Sequence, residues 1–564
     1  MPNNLRLKSI HFRAGASPGA PPLEIFCPNV TVLIGPNNAG KSQTLRDIES
    51  EFGEQHLTPS RIVLTGLELE LPDTADEILA MMEPFDGASA ADMVPMAGYR
   101  SYRRPSMAGQ PDLRVQIADN AFTEWLATGQ LQQLYINFVR FFTRRLDGAT
   151  RFNLVSDQPA GALEGQPANH LWALFQNLEA RQKISAFTQA AFGRFFVIDP
   201  TGMTTFRMRL SDRAPISIQE EQAVDPDAQA FHKAASLLST LGDGVKASVG
   251  LVAAVHSLPD RILLVDEPEA FLHPTLARRM GRALTETARL RNASLVVATH
   301  SAEFLIGCIQ ATTQLRLVRL THETSRSTAR TIEPSEISTL MNDPLLRSAN
   351  ALRALFHRGV IVCEADADRA FYEEINARLT TTARGIDDAL FMNAQNWQTI
   401  ARIIQPLRGL GVPAAAVMDL DVLMDTDFKL HVWPLVTGDG SERKRLQALR
   451  ARVKGYMDAI GRTIIKASGL DALAGTQRAE AEALIADLAR YGLFFVPVGE
   501  LEGWMKISGA PRNDKAKWVL QVFGFMGADP EVAGYVAPEP DDVWAFLGAI
   551  KAWIDDPMRL GIPD

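Results

Sequence analysis

Short, unbroken apolar runs recur along the chain, and each ends at a group able to do chemistry. Val30 to Ile34 runs into a glycine-rich loop, Ile262 to Val265 into Asp266-Glu267, and Leu295 to Ala298 into Thr299-His300-Ser301. In the second half, the run that starts at Gly359 ends in Glu364, Pro413 to Met418 ends in Asp419-Leu420-Asp421, and Leu493 to Val498 ends in Gly499-Glu500-Leu501-Glu502. Continuous apolar runs of this length predict strands buried on both faces, as in a parallel sheet. Leu5 to Phe12 and Leu23 to Phe26 predict antiparallel strands ahead of the first of them. From 120 to 190 the pattern changes to helical spacing, clearest in Leu131 to Phe142, whereas 150–168, frequent in Gly, Pro, Asn and Gln, predicts a loop. The fold class is therefore α/β, with two sets of parallel strands.

Residues 35–42, GPNNAGKS, have the form G-x-x-x-x-G-K-[ST] between a strand and a helix. Gly35 and Gly40 permit the tight turn, and backbone N–H groups around Asn37 and Asn38 face phosphate oxygens together with the positive end of the helix. Lys41 reaches the β- and γ-phosphates of a nucleotide, and the Ser42 hydroxyl is placed for magnesium. Asp266 is placed to hold that ion through water, and Glu267 to orient or deprotonate the attacking water. His300 can contact the γ-phosphate.

These parts, in this order, resemble the ATP-binding-cassette superfamily, in its RecF-like and SMC-like soluble branch. The resemblance implies two heads closing around two ATP molecules, so the chain is expected to form a homodimer or higher oligomer. It implies a signature loop at Leu241-Gly242-Asp243-Gly244-Val245-Lys246, with Gly242 and Gly244 toward the nucleotide and Gly242 where the family has serine. It also suggests that the helical segment at about 110–195 is an insertion able to serve as a dimerising arm. His273 falls either in a loop communicating between heads or in a turn that starts a helix at Pro274.

The second set of strands delivers carboxylates at three carboxyl ends, where open α/β sheets place their ligands. Asp419 and Asp421, two apart, point to the same side of an extended chain. Oxygen donors without His or Cys suit magnesium or manganese, which can hold both oxygens of a phosphodiester displacement. The order of Glu364 and the Asp-x-Asp resembles a Toprim domain over residues 355–505, with Ala365 in place of the usual glycine. That resemblance implies a metal set of Glu364, Asp368, Asp419, Asp421, Glu500 and Glu502, with Lys515 or Lys517 neutralising the scissile phosphate. Asp366 is an alternative helix cap, and Asp425 and Asp427 are expected to be solvated.

An ABC-type head followed by a Toprim domain resembles the OLD (overcoming lysogenization defect) nucleases, including Gabija-type, retron-associated and fused PARIS-type antiviral forms. The implied domains are 1–345 for the ATPase and 350–564 for a Toprim nuclease with a C-terminal helical extension, joined by a hinge at 325–350. The implied activity is ATP hydrolysis controlling a magnesium-dependent endonuclease in anti-phage defence, with DNA favoured over RNA and an accessory defence protein possible. The alternative is a RecF/SMC-like sensor or clamp whose Toprim domain is a scaffold.

Charge narrows the search for a nucleic-acid surface. With 57 Lys and Arg against 66 Asp and Glu, a net −9 leaves no global basic footprint, so local patches must serve. Tyr99-Arg100-Ser101-Tyr102-Arg103-Arg104 and the group Arg443, Lys444, Arg445, Arg450, Arg452 and Lys454 are candidates, each equally readable as a solvated face. Three widely spaced cysteines (Cys27, Cys308, Cys363) suit a reducing cytoplasm. Neither a signal segment nor a membrane span is expected.

Overall fold

A computed structural model describes residues 5–53, 61–82, 96–107, 113–161, 165–323, 326–438, 440–506 and 515–563. The chain forms two compact units, one of Met1–Ala14, Pro21–Ile34 and Gly40–Val318, the other of Gly15–Ala20, Gly35–Ala39 and Arg319–Asp564. The division falls inside the strand Arg316–Glu323, ahead of the boundary expected at 345.

In the first unit, the strands Val30–Ile34, Ser294–Ala298, Ile262–Asp266 and Thr143–Leu146 lie side by side in that order, all parallel. Their side chains are almost wholly excluded from water: Val30, Val32, Leu264, Val265 and Val297 are all at 0% exposure. Each such side chain contributes roughly 1.5–3 kcal/mol of burial free energy. A three-stranded antiparallel sheet of Glu24–Phe26, Arg6–Phe12 and Leu64–Glu70 stands beside it in sequence. Phe195–Asp199 and Thr205–Ser211 form an antiparallel pair.

The described residues of 110–195 mix helices with strands. The segment contains the strand Leu113–Ala118, the short helices Ala121–Thr128, Leu131–Asn137 and His170–Gln176, and the longer Leu178–Phe192. At its centre, Thr143–Leu146 is a strand of the main parallel sheet. The sequence Thr-Arg-Arg-Leu hid it, because Arg144 is buried only by virtue of an ion pair with Asp260, 2.8 Å away and 1% and 2% exposed. The described part of 150–168 takes in the end of a helical turn, Gly148–Arg151, capped by Asp147, and is otherwise irregular apart from a 3-10 turn at Asn153–Val155 and the two-residue strand Gln158–Pro159.

The described residues of the segment expected to be a hinge, 325–350, are mostly in regular elements. A strand, Arg326–Ile332, leads into the helices Pro334–Asn342 and Pro344–Ser348. Each starts with proline at its first position, behind Glu333 and Asp343 respectively, and Asp343 accepts hydrogen bonds from Leu345 and Leu346. Proline there is a helix start rather than a break, since its missing N–H has no helical partner to lose.

Two histidines, His170 buried and His256 partly buried, give the first unit an acid limit. His170 Nε2 lies 3.0 Å from the Leu154 carbonyl, and His256 lies 3.3 Å from the Thr287 hydroxyl. Burial pushes both down to about 4. Between pH 6.5 and 4 the unfolded chain binds more protons than the folded one, so stability falls as pH falls, by on the order of 2 kcal/mol per histidine at pH 5. Thermal unfolding at pH 7 and pH 5 is expected to show this, and a His170→Gln/His256→Gln protein should have a flatter acid limb. An equally steep limb in the variant would reject the assignment.

The second unit is built on a parallel sheet in the order Ala389–Asn393, Gly359–Cys363, Ala414–Met418, Leu493–Phe495. The last strand stops at Phe495, short of the Val498 expected, and Pro497 follows. Behind the sheet, Phe371, Tyr372, Trp504, Trp518 and Trp544 share a core with Ile361 and Cys363. Arg408 pins its far end: the guanidinium donates to the carbonyls of Ala414, Leu435, Tyr491, Gly492 and Gly561 and sits over the Trp553 ring. Full burial pushes Arg408 down to about 9. Arg408→Leu leaves those carbonyls without a donor, and a loss of about 3–5 kcal/mol in urea unfolding is expected; a loss under about 1 kcal/mol would mean that water replaces the guanidinium.

Candidate functional sites

The phosphate loop is positioned by backbone conformations that its glycines make cheap. Gly35 has φ 135° and Gly40 φ 93°, and Asn38 also lies in the left-handed region at φ 59°. Gly40 caps the helix Lys41–Ser50, which buries Lys41 and Ser42's neighbours Thr44 and Leu45. Ser42 donates to Asp266 Oδ1 at 2.9 Å, so the two groups expected to share a magnesium ion already meet. Burial pushes Asp266 above the usual carboxylate range, against the pull of the Ser42 hydroxyl.

Glu267 follows at φ 48°, its backbone N–H bonded to the Ala298 carbonyl and its side chain half exposed. His300 Nε2 lies 3.5 Å from Glu267 Oε1. A non-glycine residue held at positive φ at a strand end is strained, and here it turns Glu267 beside His300. Two residues that the sequence pattern did not single out complete the arrangement. Glu269 accepts from the His300 backbone N–H at 2.7 Å and is pushed up by deep burial, while its Oε2 has no hydrogen-bond partner. Arg151, buried, donates to the Asp266 carbonyl at 2.8 Å. Glu269 was legible as the second acid of Asp-Glu-Pro-Glu; Arg151, over a hundred residues away, was not.

Gly242 and Gly244 play different parts. Gly242 caps the helix Asp243–Ser257 at an ordinary φ of −62°, with open space around a Cβ placed there. A Cβ on Gly244 would meet the Phe271 carbonyl oxygen at 2.7 Å, so that glycine is required by packing. His273 caps the helix Pro274–Leu290, its Nδ1 3.4 Å from the Thr275 N–H, which selects the helix-start account of that residue.

In the second unit, the acids gather at the carboxyl ends of the parallel strands. Glu364 Oε1 accepts from the Asp419 backbone N–H at 2.8 Å, which ties two adjacent strand ends together. Lys515 Nζ lies 3.0 Å from Asp419 Oδ2 and 3.3 Å from Asp368 Oδ1. The other Asp368 oxygen accepts from the N–H of Ala365, the N-cap of the helix Asp366–Thr381, so the side chain of Asp368 rather than Asp366 closes that helix start. Asp366 pairs with Arg369 instead.

On the other flank, Arg462 reaches Asp421 at 3.2 Å and Asp425 at 3.4 Å, so Asp425 is paired rather than merely solvated. Lys466 lies 3.3 Å from Glu500. Glu502 is buried, and its Oε2 has no hydrogen-bond partner. Lys517, two residues after Lys515, is exposed.

Burial and mutual repulsion govern the charge state here. Glu364 is pushed up to about 8 by burial and by Asp419, and burial pushes Glu502 up to about 7. Asp368 and Asp421 are also raised by burial. Burial opposes the charge of Lys515, yet Asp368 and Asp419 hold it above the usual range. Among the described residues no three of these acids converge closely enough to form a ready metal cage. Their chemistry nonetheless fits a hard divalent cation, because buried carboxylate oxygens, one of them orphaned, outnumber the cations facing them.

Several cations of both expected basic patches are engaged within the fold. Arg100 pairs with Asp119, Tyr102 is buried, and Arg104 donates to the carbonyls of Arg140 and Thr143, with burial pushing it down to about 10. On the helix Gly440–Ile460, Arg445 pairs with Glu442 and Asp487, Arg452 with Glu480, and Lys454 with Asp458, while Arg450 covers the Phe428 ring.

The family model described as "AAA domain, putative AbiEii toxin, Type IV TA system" matches residues 212–306, which include Asp266, Glu267 and His300. No curated protein matches the chain. Among solved structures, the SMC head domain from Thermotoga maritima is 16% identical over 58% of this chain and 99% of its own, at a TM-score of 0.29. The SMC head bound to the C-winged helix domain of ScpA is 11% identical, over 59% and 99%, at 0.34. The Pyrococcus furiosus Smc head with an extended coiled coil, bound to the C-terminal domain of ScpA, is 10% identical, over 60% and 99%, at 0.33. Likenesses at TM-scores this low carry no functional weight. The family match, together with the phosphate loop and the Ser42–Asp266 pair outside and inside it, defines an ATPase domain. Among the described residues no helix is long and apolar enough to cross a membrane.

Proposed function

We propose that the chain is an ABC-type ATPase whose second unit is a Toprim-like, magnesium- or manganese-dependent endonuclease, as in the OLD family, and that ATP controls cleavage. The observation that carries the nuclease reading is the gathering of Glu364, Asp368, Asp419 and Lys515 at adjacent parallel strand ends, with Asp421, Glu500 and Glu502 beside them. Asp419 and Glu364 are the donors best placed to hold a divalent ion, with Asp421, Glu502 and Asp368 available to a second. Bound there, such ions supply charge stabilisation to the attacking and leaving oxygens of a phosphodiester. Lys515 is placed to stabilise the phosphate once the carboxylates that now hold it are drawn to metal.

Lys41 and the amides of the phosphate loop bind the nucleotide phosphates. Ser42 and Asp266 would hold magnesium, and Glu267, with His300 beside it, would act on the attacking water. Closure of two copies around ATP, anti-phage defence and a DNA substrate belong to the same reading. Incubation of the purified protein with plasmid DNA, single-stranded DNA and tRNA, with Mg²⁺ or Mn²⁺ and with or without ATP, tests it. Metal-dependent, chelator-sensitive cutting is expected. No cutting of any substrate under any nucleotide condition would leave the scaffold reading, in which the ATPase is a sensor or clamp.

A further inference from the structure

Among the described residues, the cations paired with the acids of this site are few. Lys515 is one, but its side chain is only 27% exposed and is enclosed between two acids. The others are Arg462 and Lys466, whose side chains are 49% and 38% exposed. They sit four residues apart on the helix Arg462–Ser468, and that spacing puts them on one face.

This helix is locked to the loop that carries the acids. A Cβ on Gly499 would lie 2.1 Å from the Lys466 carbonyl oxygen, and one on Gly469 would lie 2.2 Å from that of Pro497. Both glycines have positive φ, and Ile465, between the two cations, is fully buried. The backbone contacts fix where the two side chains emerge, at the rim of Asp421, Asp425 and Glu500.

We infer that Arg462 and Lys466 are the site's contacts to the phosphate backbone of a nucleic-acid strand, binding phosphates that flank the scissile one and positioning the strand over the carboxylates. This rests on the nuclease reading for what happens to the strand, though not for the binding itself. In the protein alone, the two cations are held by Asp421, Asp425 and Glu500. With those carboxylates drawn to divalent ions, Arg462 and Lys466 would be released toward a phosphodiester, whose oxygens are better acceptors. The Arg462 fork suits two phosphate oxygens, and Lys466 supplies a point charge. The competing account is that both side chains only neutralise the acids.

The test is fluorescence anisotropy of labelled duplex DNA, single-stranded DNA and RNA of one sequence, with Ca²⁺ as the divalent ion, across a salt series. For Arg462→Gln/Lys466→Gln the expected result is a Kd raised at least about tenfold, with the slope of log K against log salt shallower by about 2 on duplex or about 1.4 on single strands. Each single glutamine variant should remove about half of the slope change, and Arg462→Lys should keep most of the affinity. ATP hydrolysis and the thermal midpoint should stay near wild type; if the double variant unfolds, the two single variants decide the matter. Unchanged affinity and slope, or a wild type that binds none of the three, would overturn the inference. A wild type that binds through these residues but never cuts would sink the nuclease reading alone, and one that cuts while the variants bind normally would sink this one alone.

Discussion

Lys41→Ala is expected to lower ATP affinity by at least about 10²-fold and to abolish measurable hydrolysis, because the ammonium is the charged contact to the β- and γ-phosphates in a loop otherwise built of neutral amides. Lys41 is 4% exposed, so water cannot substitute well for it. Glu267→Gln should do the opposite to binding. The glutamine keeps the shape and the left-handed turn but cannot take a proton, so ATP stays bound while turnover falls by about 10²–10⁴. Filter binding of radiolabelled ATP beside a phosphate-release assay separates the two. Normal turnover in the glutamine variant would move the catalytic role elsewhere, with Glu269 as the next carboxylate in line.

Asp419→Ala is expected to remove metal-dependent cleavage by about 10³-fold or more while leaving ATP hydrolysis within about twofold of wild type. Asp419 is the acid on which the site converges: its N–H holds Glu364, and its carboxylate holds Lys515. Its removal takes away the proposed metal donor and loosens the lysine at once. The ATP-site residues Lys41, Ser42, Asp266 and Glu267 belong to the other compact unit. Asp427→Ala, an exposed acid a few residues on, serves as the control and should cut normally. Cleavage by the Asp419→Ala protein at the wild-type rate would place the activity at another site or in a contaminant.

The architecture around these residues was legible where burial follows from contiguous sequence. Val30–Ile34, Ile262–Asp266, Ser294–Ala298, Gly359–Cys363 and Ala414–Met418 are apolar almost throughout, so each could be read as a buried strand without knowing its neighbours. Thr143–Leu146 could not. Its two arginines read as surface until Asp260, 116 residues along the chain from Arg144, neutralises one of them inside the protein. The same reason explains the failure of the basic patches. The cations on the helix Gly440–Ile460 look like a phosphate-binding stripe only while Glu480 and Asp487, on the next long helix, are out of sight.

The sequence by itself determined which local chemistry this protein carries: a phosphate loop between strand and helix, an Asp-Glu pair at one strand end, and acids at the ends of a second set of strands. Such features are set by spacing within a few residues, and a strand or turn carries them intact wherever it packs. Only the tertiary structure decided which charges are available. It joined Glu364 to Asp419, set Lys515 between Asp419 and Asp368, placed Arg462 and Lys466 at the acidic rim, and brought Glu269 and Arg151 against the ATP site. A charge acts through what lies within a few ångströms of it in space, and in a folded chain those neighbours come from sequence positions that no local pattern connects.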